Sequence, residues 1–475
     1  TGIELELIND IDIYQIIKKG MRGGISMISH RHEKPNLPTQ PDYNPMEALR
    51  SMIYLDANGL YAWAMSQPLP VRGFEWLTPD KFDVSMLGKV KGQGYILEVD
   101  LEYPEELHDL HSDYPVAPEK MSITDDMLSP FQREHFPKAR VQVVKLVPNL
   151  NNKFKYVLHH RNLKQYLDLG LKLTNVHHIL QFEEEPWLAP FIELNTDMRK
   201  EATLKSDKAA QDQFKLMSNA VFGKTMENLE KRVNIEVITS SKIAKKRIAK
   251  PNFKRAKIFR HDLVGVDMIK TKIILNRPLQ VGFAILDISK TLMYNFHYNI
   301  CMKRFPSSKL LFTDTDSLAY VMDGNIYDKM VAISDEFDFS EYEQDHPLYD
   351  PKNMKVLGKM KDECHGQHML EFVGLRPKLY AIKKLKENGT IAEDLKAKGV
   401  PDSVRKTQLH FSDYKDYKDC VKSMQVKEVD MNCIRSDHHK LYTYNTKKTG
   451  LSAFDDKRFI CGDGISTLAH GHARK

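Results

Sequence analysis

Two aspartates stand two residues apart in Leu310-Leu311-Phe312-Thr313-Asp314-Thr315-Asp316-Ser317-Leu318-Ala319-Tyr320, where one apolar run enters a short acidic turn and a second leaves it. The pattern predicts a β-hairpin with two carboxylates at its tip. Alternate strand residues share a face, so both acids can aim at one point. Carboxylates held together repel unless a cation joins them, and hard oxygen ligands suit magnesium. Taken alone, the triplet reads equally as a solvated turn. A further acid closes the apolar strand Ser51-Met52-Ile53-Tyr54-Leu55-Asp56, and Ala57-Asn58-Gly59-Leu60-Tyr61 follows it, placing Tyr61 one turn beyond Asp56. A third segment, Phe214 to Lys224, has a helical pattern in which Lys215, Asn219 and Phe222 fall at i, i+4 and i+7 and share one face. That face offers a cation, an amide and an aromatic ring, which are what the phosphates and base of a nucleoside triphosphate require.

The elements that must position these residues belong to a large chain. Its 475 residues exceed one ordinary domain, and a hydrophobic share of 41% supplies several cores. No apolar run reaches the roughly 18 residues of a membrane span, so no membrane partner is expected. Five cysteines form an odd, sparse set that fits an intracellular, reducing compartment. The start, Thr-Gly-Ile-Glu-Leu-Glu, is acidic and lacks an initiator Met, and reads as a fragment or processed product without a secretory signal. Net charge is +6, yet residues 241–260 alone carry nine Lys or Arg and no acid, leaving the remainder at −3. Such a local concentration, with Lys245, Lys246, Arg247, Lys254 and Arg255 at its centre, suits a phosphate backbone gripped without reading sequence. The alternative is a solvated or nuclear-targeting run.

Other patterns carry less. Arg199 and Lys200 lie upstream of Lys215 and read as a second triphosphate contact or as surface charges, depending on helix register. The paired Gly23 and Gly24 let a backbone pass close to another chain. In Arg376-Pro377-Lys378-Leu379-Tyr380, a strand would point Lys378 and Tyr380 the same way. Lys396 and Lys398 flank a basic glycine turn ending at Gly399. Cys364-His365-Gly366-Gln367-His368 lacks the four ligands of a structural zinc site. His159-His160 and His177-His178 read as surface residues, and Glu183-Glu184-Glu185 as a solvated face. No Gly-x-x-x-x-Gly-Lys loop is present, which excludes a P-loop ATPase.

The three acid-bearing and helical segments resemble, in order, the motifs Asp-x-x-Ser-Leu-Tyr, Lys-x-x-x-Asn-Ser-x-Tyr-Gly and Asp-Thr-Asp-Ser of family B DNA polymerases. The match is strongest to the protein-primed branch of certain bacteriophages, linear plasmids, adenoviruses and Polinton/Maverick transposons. The segments at 222–228, 286–294 and 451–458 look like the Polinton type. Met21-Arg22-Gly23-Gly24 resembles the branch's Tyr-x-Gly-Gly motif, and Lys378-Leu379-Tyr380 its Lys-x-Tyr motif. The chain departs from the pattern at Gly59 (usually Ser), Ala62 (usually Pro), Ala220 (usually Ser) and Phe222 (usually Tyr).

The resemblance implies an α+β, right-hand fold with an antiparallel-sheet palm, helical fingers and a thumb. Its segments would be a start with the glycine pair (1–50), palm with a terminal-protein-contacting insertion (51–195), fingers (196–230), basic insertion (231–280), palm with the catalytic hairpin (281–394) and thumb (395–475). It implies a DNA-directed DNA polymerase that extends a primer 3′-hydroxyl. Asp56, Asp314, Asp316 and the Ala57 carbonyl would hold two magnesium ions, with manganese as substitute. Tyr61, Asn58, Arg199, Lys200, Lys215, Asn219, Phe222 and Gly223 would bind the deoxynucleotide. Gly23, Gly24, Lys378, Tyr380, Lys396, Lys398 and the basic segment would bind primer-template DNA, and a terminal protein would be a further partner. The exonuclease region expected upstream is missing, so this chain should not proofread. A mobile element in a eukaryote would place it in the nucleus. Two rivals are a catalytically inactive, transposon-derived DNA-binding remnant and a reverse transcriptase; the latter would normally carry adjacent acids at the hairpin.

Overall fold

The computed structural model describes every residue except 1, 41, 136–141, 387, 420–425, 438–439 and 475. At its centre is a six-stranded sheet in the order Ser26–Ile28, Lys309–Asp314, Ser317–Asp323, Arg50–Ala57, Met360–Asp362 and Phe337–Asp338. All neighbours are antiparallel except the last pair. Alternation along Ser317–Asp323 shows why these strands are apolar throughout. Leu318, Tyr320 and Met322 face one core, and Ala319 and Val321 face another. A sheet covered on both faces needs near-continuous hydrophobic runs.

One face is packed by the π-helix Asn295–Cys301 and the last turn of the helix Leu279–Tyr294 that leads into it, a helix buried along almost its whole length. The other is covered by strands Met369–Arg376 and Leu379–Leu385, members of a second antiparallel sheet with Ile391–Ala397 and His32–Glu33. A third antiparallel sheet joins Leu69–Leu77, Lys172–Glu185, Gln93–Glu102 and Lys153–His159. Two helices, Ala189–Leu204 and Lys208–Thr225, fold back on each other through a three-residue link. The second is sparsely buried, with only Ser218 and Thr225 inside, so the pair stands out from the sheets as an arm. Residues 234–268 form a small unit of three strands and the helix Ser241–Ile248. A long hairpin, Val426–Asp437 with Lys440–Ser452, lies near the end of the chain. The helix Ala189–Leu204 runs across position 195, and the strand Ile391–Ala397 runs across position 394, so the segment boundaries expected there fall inside elements. Among the described residues no helix is long and apolar enough to cross a membrane.

Three expectations are corrected. His159 and His160 are buried at the junction of the strand Lys153–His159 with the helix His160–Asp168, because His159 caps that helix by accepting from the Arg161 backbone N–H. Glu184 is buried as well. Strand alternation turns it inward with Phe182 while Glu183 and Glu185 face out toward Arg72. His160 and Arg161 each reach Glu184 at 3.3 Å, so its carboxylate already has a guanidinium partner. Lys378 is not in a strand: it lies in the turn between Met369–Arg376 and Leu379–Leu385, with φ +64°.

The 451–458 segment has a structural task. Arg458 is fully buried, donating to Thr467 Oγ1 at 2.6 Å and to the Ser112 carbonyl at 2.7 Å, while Lys457 Nζ donates to the Ser26 carbonyl at 2.9 Å. The end of the chain thereby braces the short edge strand Ser26–Ile28. Burial pushes Arg458 down only to about 10, so it remains charged at neutral pH and depends on these acceptors. Arg458→Ala leaves them unpaired in the interior and is expected to cost about 3 kcal/mol of stability, read by urea denaturation.

Candidate active site

The geometry begins with strand register. Ser317 pairs with Asp56 across two antiparallel strands, and the Ala57 N–H donates to the Asp316 carbonyl at 2.7 Å. Asp56 and Asp316 are thus brought side by side from positions 260 residues apart in the sequence. Burial, then the Asp316 charge, then Glu363, raise Asp56 to about 8, against the opposing charges of Lys361 and Lys215. Burial and the neighbouring Asp314 likewise raise Asp316. Two half-buried carboxylates whose charged forms are disfavoured by burial and by neighbouring acids, beside the main chain at Ala57, are a donor set of hard oxygens. They fit a divalent cation of the magnesium type.

The turn that carries Asp316 is strained and clamped. Thr315 has φ +72°, its N–H donates to the Ile25 carbonyl at 2.6 Å, and the Asp316 N–H donates to the Asp314 carbonyl at 2.9 Å. A Cβ on Gly24 would lie 2.3 Å from Thr315 Cγ2 and 2.8 Å from its Cβ. Gly24 therefore lets the Arg22–Ile25 segment lie directly on the acidic turn. That segment is tied in place by buried Lys290 on the central helix, which donates to the Arg22 carbonyl at 2.9 Å. Gly23 has open space around it.

A cavity of about 530 Å³ opens beside the acids. Asp56, Ala57, Asn58, Tyr61, Arg199, Lys215, Asn219, Phe222 and Asp316, all singled out in the sequence, line it. Lys215, Asn219 and Phe222 sit on the inner face of the projecting helix Lys208–Thr225. Helix register separates the two upstream cations: Arg199 faces the cavity with a buried Nε that has no hydrogen-bond partner among the described residues, whereas Lys200 lies 3.8 Å from Asp197 and does not line it. Gly223 does not line the cavity either. The rings of Tyr61 and Phe222 stack at 4.7 Å and 20°. Burial and the Asp316 charge push the Tyr61 phenol up to about 12.

A groove adjoins the cavity at the acids. Asp314, Asp316, Lys378, Tyr380, Lys396 and Lys398 line it, together with Arg405 from the helix Asp402–Gln408. Lys378 Nζ lies 2.7 Å from Asp314 Oδ1, a close ion pair although poorly aligned for a hydrogen bond. Tyr380 is buried, with its hydroxyl 3.0 Å from that of Tyr54. The cations of the 241–260 segment line neither cavity nor groove. Their charge is partly used within their own unit: Arg247 pairs with Glu236 at 2.8 Å, and Arg255 with Asp267 at 3.2 Å.

Several residues of the site escaped sequence reasoning. Glu341, Lys355 and Lys361 line the cavity, and Glu363 stands close enough to raise Asp56. The alternation Lys359-Met360-Lys361-Asp362-Glu363 was a readable signal, since it puts Lys361 and Glu363 on one strand face. Glu341 and Lys355 come from loops with no periodic pattern.

A family model for DNA polymerase type B, organellar and viral, matches residues 7–300. The chain belongs to this family. No curated protein sequence matches it. Among solved structures the fold is similar to Phi29 DNA polymerase. The TM-score is 0.57 to that enzyme complexed with primer-template DNA and incoming nucleotide substrates, 0.53 to its binary complex with primer-template DNA and 0.52 to its orthorhombic crystal form. In each case identity is 15%, and the alignment covers 94% of this chain and 64% of Phi29 DNA polymerase. The type B polymerase chain thus spans less than two thirds of the length of the enzyme it matches.

The Gly24 contact generates a paired test. Gly24→Ala is expected to lose about 1–3 kcal/mol of stability through overpacking against Thr315, and Gly23→Ala to stay near wild type, both measured by thermal denaturation.

Proposed function

We propose that the chain is a template-directed DNA polymerase that joins a primer 3′-hydroxyl to the α-phosphorus of a deoxynucleoside triphosphate. The observation that carries this reading is the convergence of Asp56 and Asp316 at the junction of a nucleotide-sized cavity and a basic groove. A nucleotide in the cavity would point its phosphates at Lys215 and the unpartnered Nε of Arg199, with Asn219 and Phe222 against the nascent base pair. Tyr61 would lie under the sugar and exclude a 2′-hydroxyl, because its ring is stacked on Phe222 in the cavity that holds the acids. A primer strand in the groove would meet Lys378, Lys396, Lys398 and Arg405, and phosphate contacts of this kind position a strand without reading its sequence. Asp314, held by Lys378, would orient the turn. Two magnesium ions bound by Asp56, Asp316 and the Ala57 carbonyl would supply activation of the attacking hydroxyl and stabilisation of the leaving pyrophosphate.

In this reading the six-stranded sheet is the palm, the helix pair the fingers, and the region after residue 395 the thumb. The unit at 234–268 is the insertion that grips template. Priming by a terminal protein, and replication of a mobile element or virus, rest on the sequence resemblance to the Polinton type.

Asp316→Asn is expected to lower primer extension with magnesium by at least about 10³-fold while leaving primer-template affinity within about threefold. Retained synthesis would overturn the assignment, and equal extension on RNA and DNA templates would favour a reverse transcriptase. Tyr61→Ala is expected to admit ribonucleotides, raising their relative use at least about tenfold in single-nucleotide incorporation assays.

A further inference from the structure

The wall of the nucleotide cavity supplied by residues 338–361 has no role in the reading above, and its chemistry is specific. Lys355, Lys361 and Glu341 all line the cavity that holds Asp56, Arg199 and Lys215. Lys355 Nζ lies 3.1 Å from Glu341 Oε1, and Lys361 Nζ lies 3.6 Å from Glu341 Oε2 and 2.8 Å from Glu363 Oε1. His365 Nδ1 approaches the same Glu341 oxygen at 3.7 Å. The two lysine side chains are only 17% and 21% exposed, and Glu341 is 34% exposed. Ammonium groups this enclosed need anions, and Glu341 between them, with Glu363 on Lys361 alone, brings two charges where a triphosphate brings several.

The wall is built to sit at this place. The Asn58 N–H donates to the Lys359 carbonyl and the Gly358 N–H donates to the Asn58 carbonyl, both at 2.8 Å. Asp338 accepts from Asn58 Nδ2 at 2.7 Å and from the Lys355 backbone N–H at 2.9 Å, so one buried carboxylate locks the Lys355 turn to the residue two beyond Asp56. Gly59 explains why the chain departs from the family pattern there. Its φ is +54°, and a Cβ would lie 3.0 Å from Leu357 Cδ2. The missing side chain makes room for the loop that brings Lys355 in. Lys361 stands opposite Asp56 in strand register, on the adjacent strand.

We propose that Lys355 and Lys361 are a second pair of phosphate-binding cations in the nucleotide site, and that Glu341 is their internal counter-ion, displaced when a triphosphate enters. This rests on the polymerase reading for its substrate, but the phosphate chemistry is tested separately. Inorganic tripolyphosphate titrated calorimetrically into the full chain should bind wild type. Lys355→Ala and Lys361→Ala should each weaken binding about tenfold, Lys361→Arg should retain it, and Glu341→Gln should bind at least as tightly as wild type. In primer extension the two alanine variants should raise the KM for deoxynucleotides about tenfold with a smaller change in kcat. A structural staple predicts the opposite sign for Glu341: loss of that carboxylate would lower the melting temperature and weaken binding as the lysine variants do. That result, or wild-type tripolyphosphate affinity in the folded lysine variants, overturns the proposal. Tripolyphosphate binding with this pattern but no primer extension by wild type would sink the polymerase reading and leave the phosphate site standing.

Discussion

The structure depends on holding two carboxylates, Asp56 and Asp316, close together in a half-buried place where neither ionises freely. Repulsion between like charges and the loss of water both oppose that arrangement. Burial first, and then the Asp316 charge, lift Asp56 to about 8. Such strain persists only where the surroundings over-determine it. Here the determinants are the register between Ser317–Asp323 and Arg50–Ala57, the left-handed Thr315, and the glycine segment pressed on the turn.

Much of the remaining architecture serves that clamp. The sheet is buried on both faces, so its strands cannot slip by one residue without turning Leu318 and Tyr320 out of one core and Ala319 and Val321 out of the other. The central helix carries Lys290 inward to hold the Arg22 carbonyl, at the cost of a buried ammonium that desolvation lowers to about 8. Arg458 and Lys457 return from the end of the chain to brace Ser26–Ile28, the strand that follows the glycines. The helix pair bearing Lys215 and Arg199 is by contrast little buried, as suits an arm that supplies cations to a cavity from outside the sheets.

The acidic hairpin, the strand ending at Asp56 and the helix face of Lys215, Asn219 and Phe222 were legible because each is written in a short period: two for strands, about 3.6 for the helix. Their gathering around one cavity was not in those periods. It comes from the ordered resemblance to a polymerase family; the family match over residues 7–300 shows the family and ends before the acidic hairpin. Lys-x-Tyr spacing suggests strand alternation, whereas Lys378 occupies a turn before the strand starts. His159 and His160 carry no local sign of burial, being a polar pair at a strand-to-helix junction; distant Glu184 and Asp287 supply their partners. Glu341 and Lys355 lie in irregular loops, where spacing says nothing about which side chains meet.

The central claim is that Asp56 and Asp316 form a shared divalent-cation site completed by primer and nucleotide. Manganese binding followed by electron paramagnetic resonance tests it most directly, using the full chain with a 3′-deoxy-terminated primer-template and the matching deoxynucleotide. The account predicts two bound ions per chain in wild type and loss of at least one in both Asp56→Asn and Asp316→Asn, with the DNA still bound. The same manganese occupancy in wild type and both variants would contradict it.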